Sequence, residues 1–203
     1  MMLANRWNIM RYSLYTPIYD LVAGLFASYR QQSIAQLALQ GGESVLLVGA
    51  GTGLDLKYLP KDVQITATDL TPAMLSLMQL RARQRSNIKV ERMDGQQLAY
   101  ADASFDAVIL HLIVAVIPDP VRCLKEAERV LKPGGRIVIF DKFLPEASTA
   151  SVGRKILGTL TSLLFSDINR KFSPIQATTK LQLIHNKAAA LGGAFRYILL
   201  QKA

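Results

Sequence analysis

An apolar, partly β-branched run, Ser44-Val-Leu-Leu-Val48, leads directly into Gly49-Ala50-Gly51-Thr52-Gly53. A continuous apolar strand that ends in glycines is how a strand buried on both faces of a parallel sheet opens a βαβ unit. A helix-like stretch to Leu59 follows, then a second strand, Gln64–Thr68, closed by Asp69. Thr71-Pro72 opens a helix with proline at its first position, running through Met74, Leu75, Met78 and Arg81. The alternation continues with strands at Ile88–Arg92 and Asp106–Leu112, a helix at Pro120–Leu131, and a strand at Arg136–Phe140. Lys132-Pro133-Gly134-Gly135 is the stop signal of that helix, and Asp141 closes the strand after it. Leu181–Lys187 and Phe195–Gln201 read as two more strands, joined by too few residues for a crossover helix and therefore as an antiparallel hairpin. The expected fold is α/β and Rossmann-like: a doubly wound, mostly parallel seven-stranded sheet with helices on both faces.

Glycines at the first strand–helix turn let backbone N–H groups approach a ligand closely and favour an anion there. Their spacing decides against two familiar ligands. A dinucleotide turn reads G-x-G-x-x-G, whereas this one reads G-x-G-x-G, and Leu54 stands where the third dinucleotide glycine belongs. Asp55 and Leu56 occupy the positions of the Lys and Ser/Thr of a phosphate loop. A smaller anion, such as a carboxylate, suits the turn. Asp69, at the end of the second strand, is placed to accept both hydroxyls of a ribose, and Asp94, after the third in Met93-Asp94-Gly95, to accept from an exocyclic adenine amine. Ligands of open α/β sheets bind at the carboxyl ends of the strands, where all three features fall.

In order and spacing, Val48–Gly53, Ala67–Leu75, Asp94-Gly95, Ser104–Val108 and Leu131–Gly135 resemble the motifs of the class I S-adenosylmethionine-dependent methyltransferases. The resemblance runs over residues 12–142 and is nearest the branch acting on quinone precursors, phosphatidylethanolamine and small molecules, which also carries a Tyr-Asp pair like Tyr19-Asp20. It implies S-adenosylmethionine as cofactor and S-adenosylhomocysteine as product. Gly49, Ala50, Gly51, Thr52 and Gly53 would face the methionine part, Asp69 and Leu70 the ribose, and Asp94 and Gly95 the adenine. Met74 would pack near the adenosine and His111 would border the methionine end. Leu47 departs from the acidic residue many relatives have there.

Displacement at a sulfonium needs alignment above all, and an acceptor that must lose a proton needs a base. His111 is the candidate base, with a pocket-shaping role as its other reading, and Tyr19 is the candidate for orienting the acceptor. Asp141 reads either as a partner for an acceptor amine or as a polar cap on its strand. One cysteine, Cys123, and two histidines leave no disulfide framework and no metal centre to build. The residues after His111 lack the acid-or-Asn, double-proline and aromatic pattern of exocyclic-amine DNA methylation, and no Pro-Cys nucleophile is present, so nucleic acid is not the expected acceptor.

The net charge of +9 is unevenly placed: residues 43–150 are neutral, residues 1–42 carry +2 and residues 151–203 carry +7. Basic ends point to an anionic partner, either nucleic acid or a phospholipid surface. Leu3, Trp7, Met10 and Leu14 share one helical face; a second helix is expected after Pro17 with Ile18, Leu21, Val22, Leu25, Phe26 and Tyr29 on one side, and Val152–Phe165 carries a third stripe. These stripes either cover the sheet and roof the cleft or lie in a membrane interface. The expected organisation is one domain, with a helical lid (1–42), a cofactor core (43–142), a helical substrate cap (143–180) and the hairpin (181–203). No run is apolar and long enough to span a bilayer, so the expected location is the cytoplasm, with peripheral attachment to the inner face of the membrane. The expected acceptor is a lipid or other hydrophobic small molecule. The alternatives are a soluble metabolite methyltransferase and a non-catalytic S-adenosylmethionine-binding protein.

Overall fold

The computed structural model describes residues 2–144 and 170–203. The expected helix over Val152–Phe165 lies outside the described residues, as do the side chains of Leu3 and Ile18. Seven strands form one sheet: β1 (Ser44–Val48), β2 (Gln64–Asp69), β3 (Ile88–Arg92), β4 (Phe105–His111), β5 (Leu131–Lys142), β6 (Gln182–Ala188) and β7 (Phe195–Gln201). Their order is β3-β2-β1-β4-β5-β7-β6; β1 to β5 are parallel, and β7 runs antiparallel to both β5 and β6.

Alternation along the central strands explains the two-sided core. Val45, Leu47, Ile109 and Val138 point to one face, where Ile34 of α2 (Ala27–Ala35) and Leu75 and Met78 of α3 (Pro72–Ala82) cover them. Leu46, Val48, Val108, Leu110 and Ile137 point to the other, under Leu124 and Ala127 of α4 (Pro120–Val130) and Ile175 of the single helical turn Ser173–Gln176. Leu47, the departure noted above, is a buried core residue on the α2 side.

Three local expectations change. The stretch after the glycines is only a 3₁₀ turn, Leu56–Tyr58, because Pro60 leaves no room for a helix of useful length. β5 starts at Leu131 and pairs with Phe105 before Lys132–Gly135 loops out, with Gly134 at φ 75°, and pairing resumes at Arg136. Pro17 does not divide the N-terminal segment, which is one helix, α1 (Met2–Gly24). A proline removes one helical hydrogen bond, and the helix runs through it while bonded on both sides of it, Asn5 to Asp94 and Asp20 to Thr52.

Candidate active site

Strand order reverses direction between β1's two neighbours, β2 and β4, and a cavity of about 290 Å³ opens beyond the strand ends there, roofed by α1. Its floor carries the glycine turn. Gly49 and Gly51 adopt φ 64° and 59°; a Cβ on Gly49 would stand 2.6 Å from Ile113 Cδ1, and one on Gly51 would stand 3.3 Å from the Tyr19 hydroxyl. Both conformation and contact therefore require glycine at these two places. Asp69, at the end of β2, accepts from the Gly51 N–H at 2.9 Å and the Thr71 N–H at 2.8 Å. Burial raises its carboxyl above the ordinary range, and the Thr71 and Gly51 N–H bonds oppose that rise. Each oxygen keeps a lone pair for a ligand hydroxyl.

Asp94 is held more tightly. Its Oδ1 accepts from the Gln96 N–H and from Gln96 Nε2, both at 2.9 Å, and its Oδ2 accepts from Asn5 Nδ2 of α1 at 2.6 Å. The roof thus hydrogen-bonds the carboxylate at the adenine end.

Of the residues expected from sequence, Tyr19, Gly49, Gly51, Asp69, Leu70, Met74, Asp94 and Gly95 line the cavity together. Ala50, Thr52, Gly53 and His111 do not. Thr52 is buried behind the turn, where its hydroxyl donates to Asp20 and its carbonyl accepts from Arg81, which also pairs with Asp20. His111 is 4% exposed and turned away from the cavity. As the last residue of β4 it shares the face of Ile109, the one covered by α2, so its Nε2 lies 2.9 Å from Ser33 Oγ and its Nδ1 lies 3.1 Å from Asp55 Oδ2. Asp55 also pairs with Arg30 of α2 at 2.8 Å. Burial alone would raise the Asp55 carboxyl; His111 and Arg30 overcome it and hold the group well below the usual carboxylate range. The position expected of a base bordering the methionine end is filled instead by Leu112, at φ 58°, and Ile113.

Tyr19 stands over the turn with Arg30 facing its hydroxyl; burial raises that hydroxyl's pKa and Arg30 opposes the rise. Asp141 is fully buried at the other end of the cavity, where its carboxylate accepts from the Ala115 N–H at 2.9 Å and from the Lys142 N–H at 2.8 Å. Burial raises its carboxyl despite those bonds, and burial lowers the Lys142 ammonium beside it, with Asp141 partly restoring it.

Among the residues not foreseen as lining the site, α1 supplies Asn5, Asn8, Tyr12 and Tyr15, which join Tyr19 on the roof. A signal for them exists, since 5, 8, 12, 15 and 19 recur at helical spacing as a polar and aromatic face. The apolar stripe is the opposite face and points outward: Trp7 is 43% exposed, Leu14 72%, Leu21 77% and Leu25 75%. The stripe of α1 therefore does not roof the cleft; its tyrosines and asparagines do.

Comparison with known proteins agrees with this geometry. Residues 46–139 match the family described as Methyltransferase domain. A phosphatidylethanolamine N-methyltransferase of Cereibacter sphaeroides is 28% identical over 193 residues, which cover 91% of this chain and 93% of that protein. A demethylmenaquinone methyltransferase of Deinococcus radiodurans is 36% identical over 141 residues; the match takes in 65% of this chain but only 58% of that protein, so the chain spans less than two thirds of that relative. Among solved structures, the [4+2]-cyclase SpnF superposes with a TM-score of 0.76 at 18% identity, over 95% of this chain and 94% of that one. Geranyl diphosphate C-methyltransferase from Streptomyces coelicolor A3(2), solved with S-adenosyl-L-homocysteine, gives a TM-score of 0.72 at 15% identity, over 87% of this chain and 76% of that one. At these identities the two structures speak for the fold alone.

Proposed function

The chain belongs to the class I S-adenosylmethionine-dependent methyltransferases, and from that premise we propose that it methylates a lipid-borne acceptor while attached to an anionic membrane surface. The exposed stripe of α1 carries this reading. Trp7, Met10, Leu14, Leu21 and Leu25 are all exposed along one side of the helix that roofs the site. An apolar stripe with a tryptophan on a chain of net charge +9 has the character of an interfacial helix. Among the described residues, no helix is long and apolar enough to cross a membrane. A relative similar over nearly its whole length is named for a phospholipid acceptor.

The residues present fit the cofactor, because the cradle at Gly49 and Gly51 is one that a Cβ would fill. The N–H groups of that turn would hold the methionine carboxylate. Asp69 would take the ribose hydroxyls, with Leu70 and Met74 against the nucleoside. Asp94 would take the adenine amine, exchanging its bond from Asn5 for one from the base. When bound, S-adenosylmethionine supplies a methyl group on a sulfonium, an already activated leaving group. What remains for the chain is alignment and exclusion of water, which the α1 roof provides through Tyr12, Tyr15 and Tyr19. Tyr19 orients the acceptor over the glycine turn. His111 acts through position only, bracing α2 and the turn that carries Asp55.

The test is co-sedimentation with phosphatidylglycerol vesicles beside calorimetric titration with S-adenosylhomocysteine. Wild type binds both. A Leu14→Ser, Leu21→Ser, Leu25→Ser triple variant loses vesicle binding by at least tenfold, since burying each leucine contributes about 1.5–3 kcal/mol, and keeps its calorimetric affinity. Asp69→Ala does the reverse. A wild type that binds S-adenosylhomocysteine but ignores anionic vesicles overturns the membrane reading in favour of a soluble acceptor.

A further inference from the structure

At the end of the cavity away from the adenine, Asp141 and Lys142 stand side by side as opposite charges among Tyr12, Phe26, Leu112 and Phe195, with Arg170 a second cation acting on Asp141. Phe26 and Phe195 have their ring centroids 4.7 Å apart, and Phe195 is the register partner of Lys142 across β5 and β7. Asp141 is fully buried and its hydrogen bonds come only from backbone N–H groups. Among the described residues, Lys142 Nζ donates to no carboxylate or carbonyl and forms no ion pair. A buried anion and a half-buried cation whose mutual attraction only partly offsets their burial are costly unless a ligand completes them.

We propose that Asp141 and Lys142 form the acceptor subsite and that it takes a zwitterionic aminophospholipid headgroup, the amine at Asp141 and the phosphodiester at Lys142. The inference rests on the lipid reading above and names which lipid. An ammonium and a phosphate joined by two carbons are a charge pair of matching sign. A quinol ring carries neither an ammonium for the Asp141 carboxylate nor a phosphate for the Lys142 ammonium. The aromatic wall suits the product as well as the substrate. Each transfer replaces an N–H by an N–CH₃, so hydrogen bonding to the nitrogen fades while attraction of the cation to ring faces persists.

The step balances within the site. The ammonium gives a proton to Asp141, whose burial-raised carboxyl is suited to receive it. The freed nitrogen lone pair forms the N–C bond to the methyl carbon as the C–S bond breaks, and its electron pair goes to sulfur. Asp141 returns the proton to solvent when the product leaves.

Methyl transfer from labelled S-adenosylmethionine is measured with the full chain in detergent micelles, so that vesicle attachment is not a requirement, offering in separate arms phosphatidylethanolamine, a demethylated naphthoquinol and free phosphoethanolamine. Phosphatidylethanolamine is the expected acceptor. Because Asp141 also holds the Ala115 N–H and its variants risk misfolding, Lys142 is the decisive position. Lys142→Gln raises KM for phosphatidylethanolamine on the order of tenfold, the worth of one charge-assisted contact. Its kcat changes far less, Lys142→Arg recovers part of the loss, and affinity for S-adenosylhomocysteine is unchanged. Methylation of the naphthoquinol but not of phosphatidylethanolamine overturns the proposal, and so does a Lys142→Gln enzyme with the wild-type KM. Failure to bind vesicles while phosphatidylethanolamine is methylated in micelles counts against the membrane reading alone and supports the subsite.

Discussion

Asp55 has no motif to mark it in the sequence, yet it ties three segments together: α2 through Arg30 and, by way of His111, Ser33; β4 through His111 at its end; and the glycine turn from which it extends. Removing one member of a buried charged cluster leaves another uncompensated, so Asp55→Asn is expected to lower stability by about 3–5 kcal/mol, read from urea unfolding at pH 7. The sign of the pH dependence follows from the depressed native carboxyl. Its stabilisation is fully present above the unfolded value near 4 and is lost as pH falls below that toward the native one. Wild type therefore loses this stability progressively as pH falls below about 4, whereas Asp55→Asn, already deprived of that contribution, shows a shallower fall. Gly51→Ala puts an L residue at φ 59° with its Cβ against the Tyr19 hydroxyl, and is expected to lose roughly 1–2 kcal/mol of stability together with measurable affinity for S-adenosylhomocysteine. Cys123, whose thiol burial pushes up to about 12, is expected to resist alkylation at pH 8 in the native protein and to label on unfolding.

Among the elements, those legible in the sequence are the ones with a single physical cause. The central parallel strands are buried on both faces, so a continuous apolar run identifies them within a residue or two at each end, as Ser44–Val48 does, whereas the edge strand Ile88–Arg92 shows itself by alternating apolar and charged residues. The glycine turn and the acids that close β2 and follow β3 are legible for the same reason: backbone geometry and strand ends fix where they must lie. His111 was misjudged because its position at a strand end does not say which face its side chain takes; the α2 packing decides that. α1 is less legible, since Pro17 suggests a break that is absent and its apolar stripe fits either the roof of the cleft or a membrane interface. A helix with one apolar face and one face of tyrosines and asparagines does not reveal which face meets protein when the protein surface it covers is a polar cleft. Asn5, at 2.6 Å from Asp94 Oδ2, holds the bond that the adenine amine is proposed to take. Asn5→Ala is accordingly expected to strengthen S-adenosylhomocysteine binding by roughly 2–10-fold, the worth of one ordinary hydrogen bond, as measured by calorimetry.

For the whole molecule, charge is segregated: the sheet core is neutral over residues 43–150 and the basic excess lies in the two ends. Attraction of this kind acts over a Debye length of about 10 Å at 0.1 M salt, whereas insertion of the α1 stripe does not depend on screening. Vesicle attachment is therefore expected to weaken on going from about 0.05 to 0.5 M salt and to level off above zero, and the triple leucine variant is expected to fall to nothing over the same range. Sedimentation across a salt series separates the two contributions.

Asn5, Leu14 and Leu21 ride on one helix, so the nucleoside end of the cleft and the outer face of the protein share a mechanical part. Thermodynamic reciprocity then applies: if seating α1 in a bilayer withdraws Asn5 from Asp94, the bilayer raises affinity for the nucleoside by a certain factor, and the nucleoside raises affinity for the bilayer by that same factor. Under that condition, a protein that has spent its methyl donor and released the product holds the surface less firmly than one reloaded with it, and the catalytic cycle becomes at the same time a cycle of grip and release.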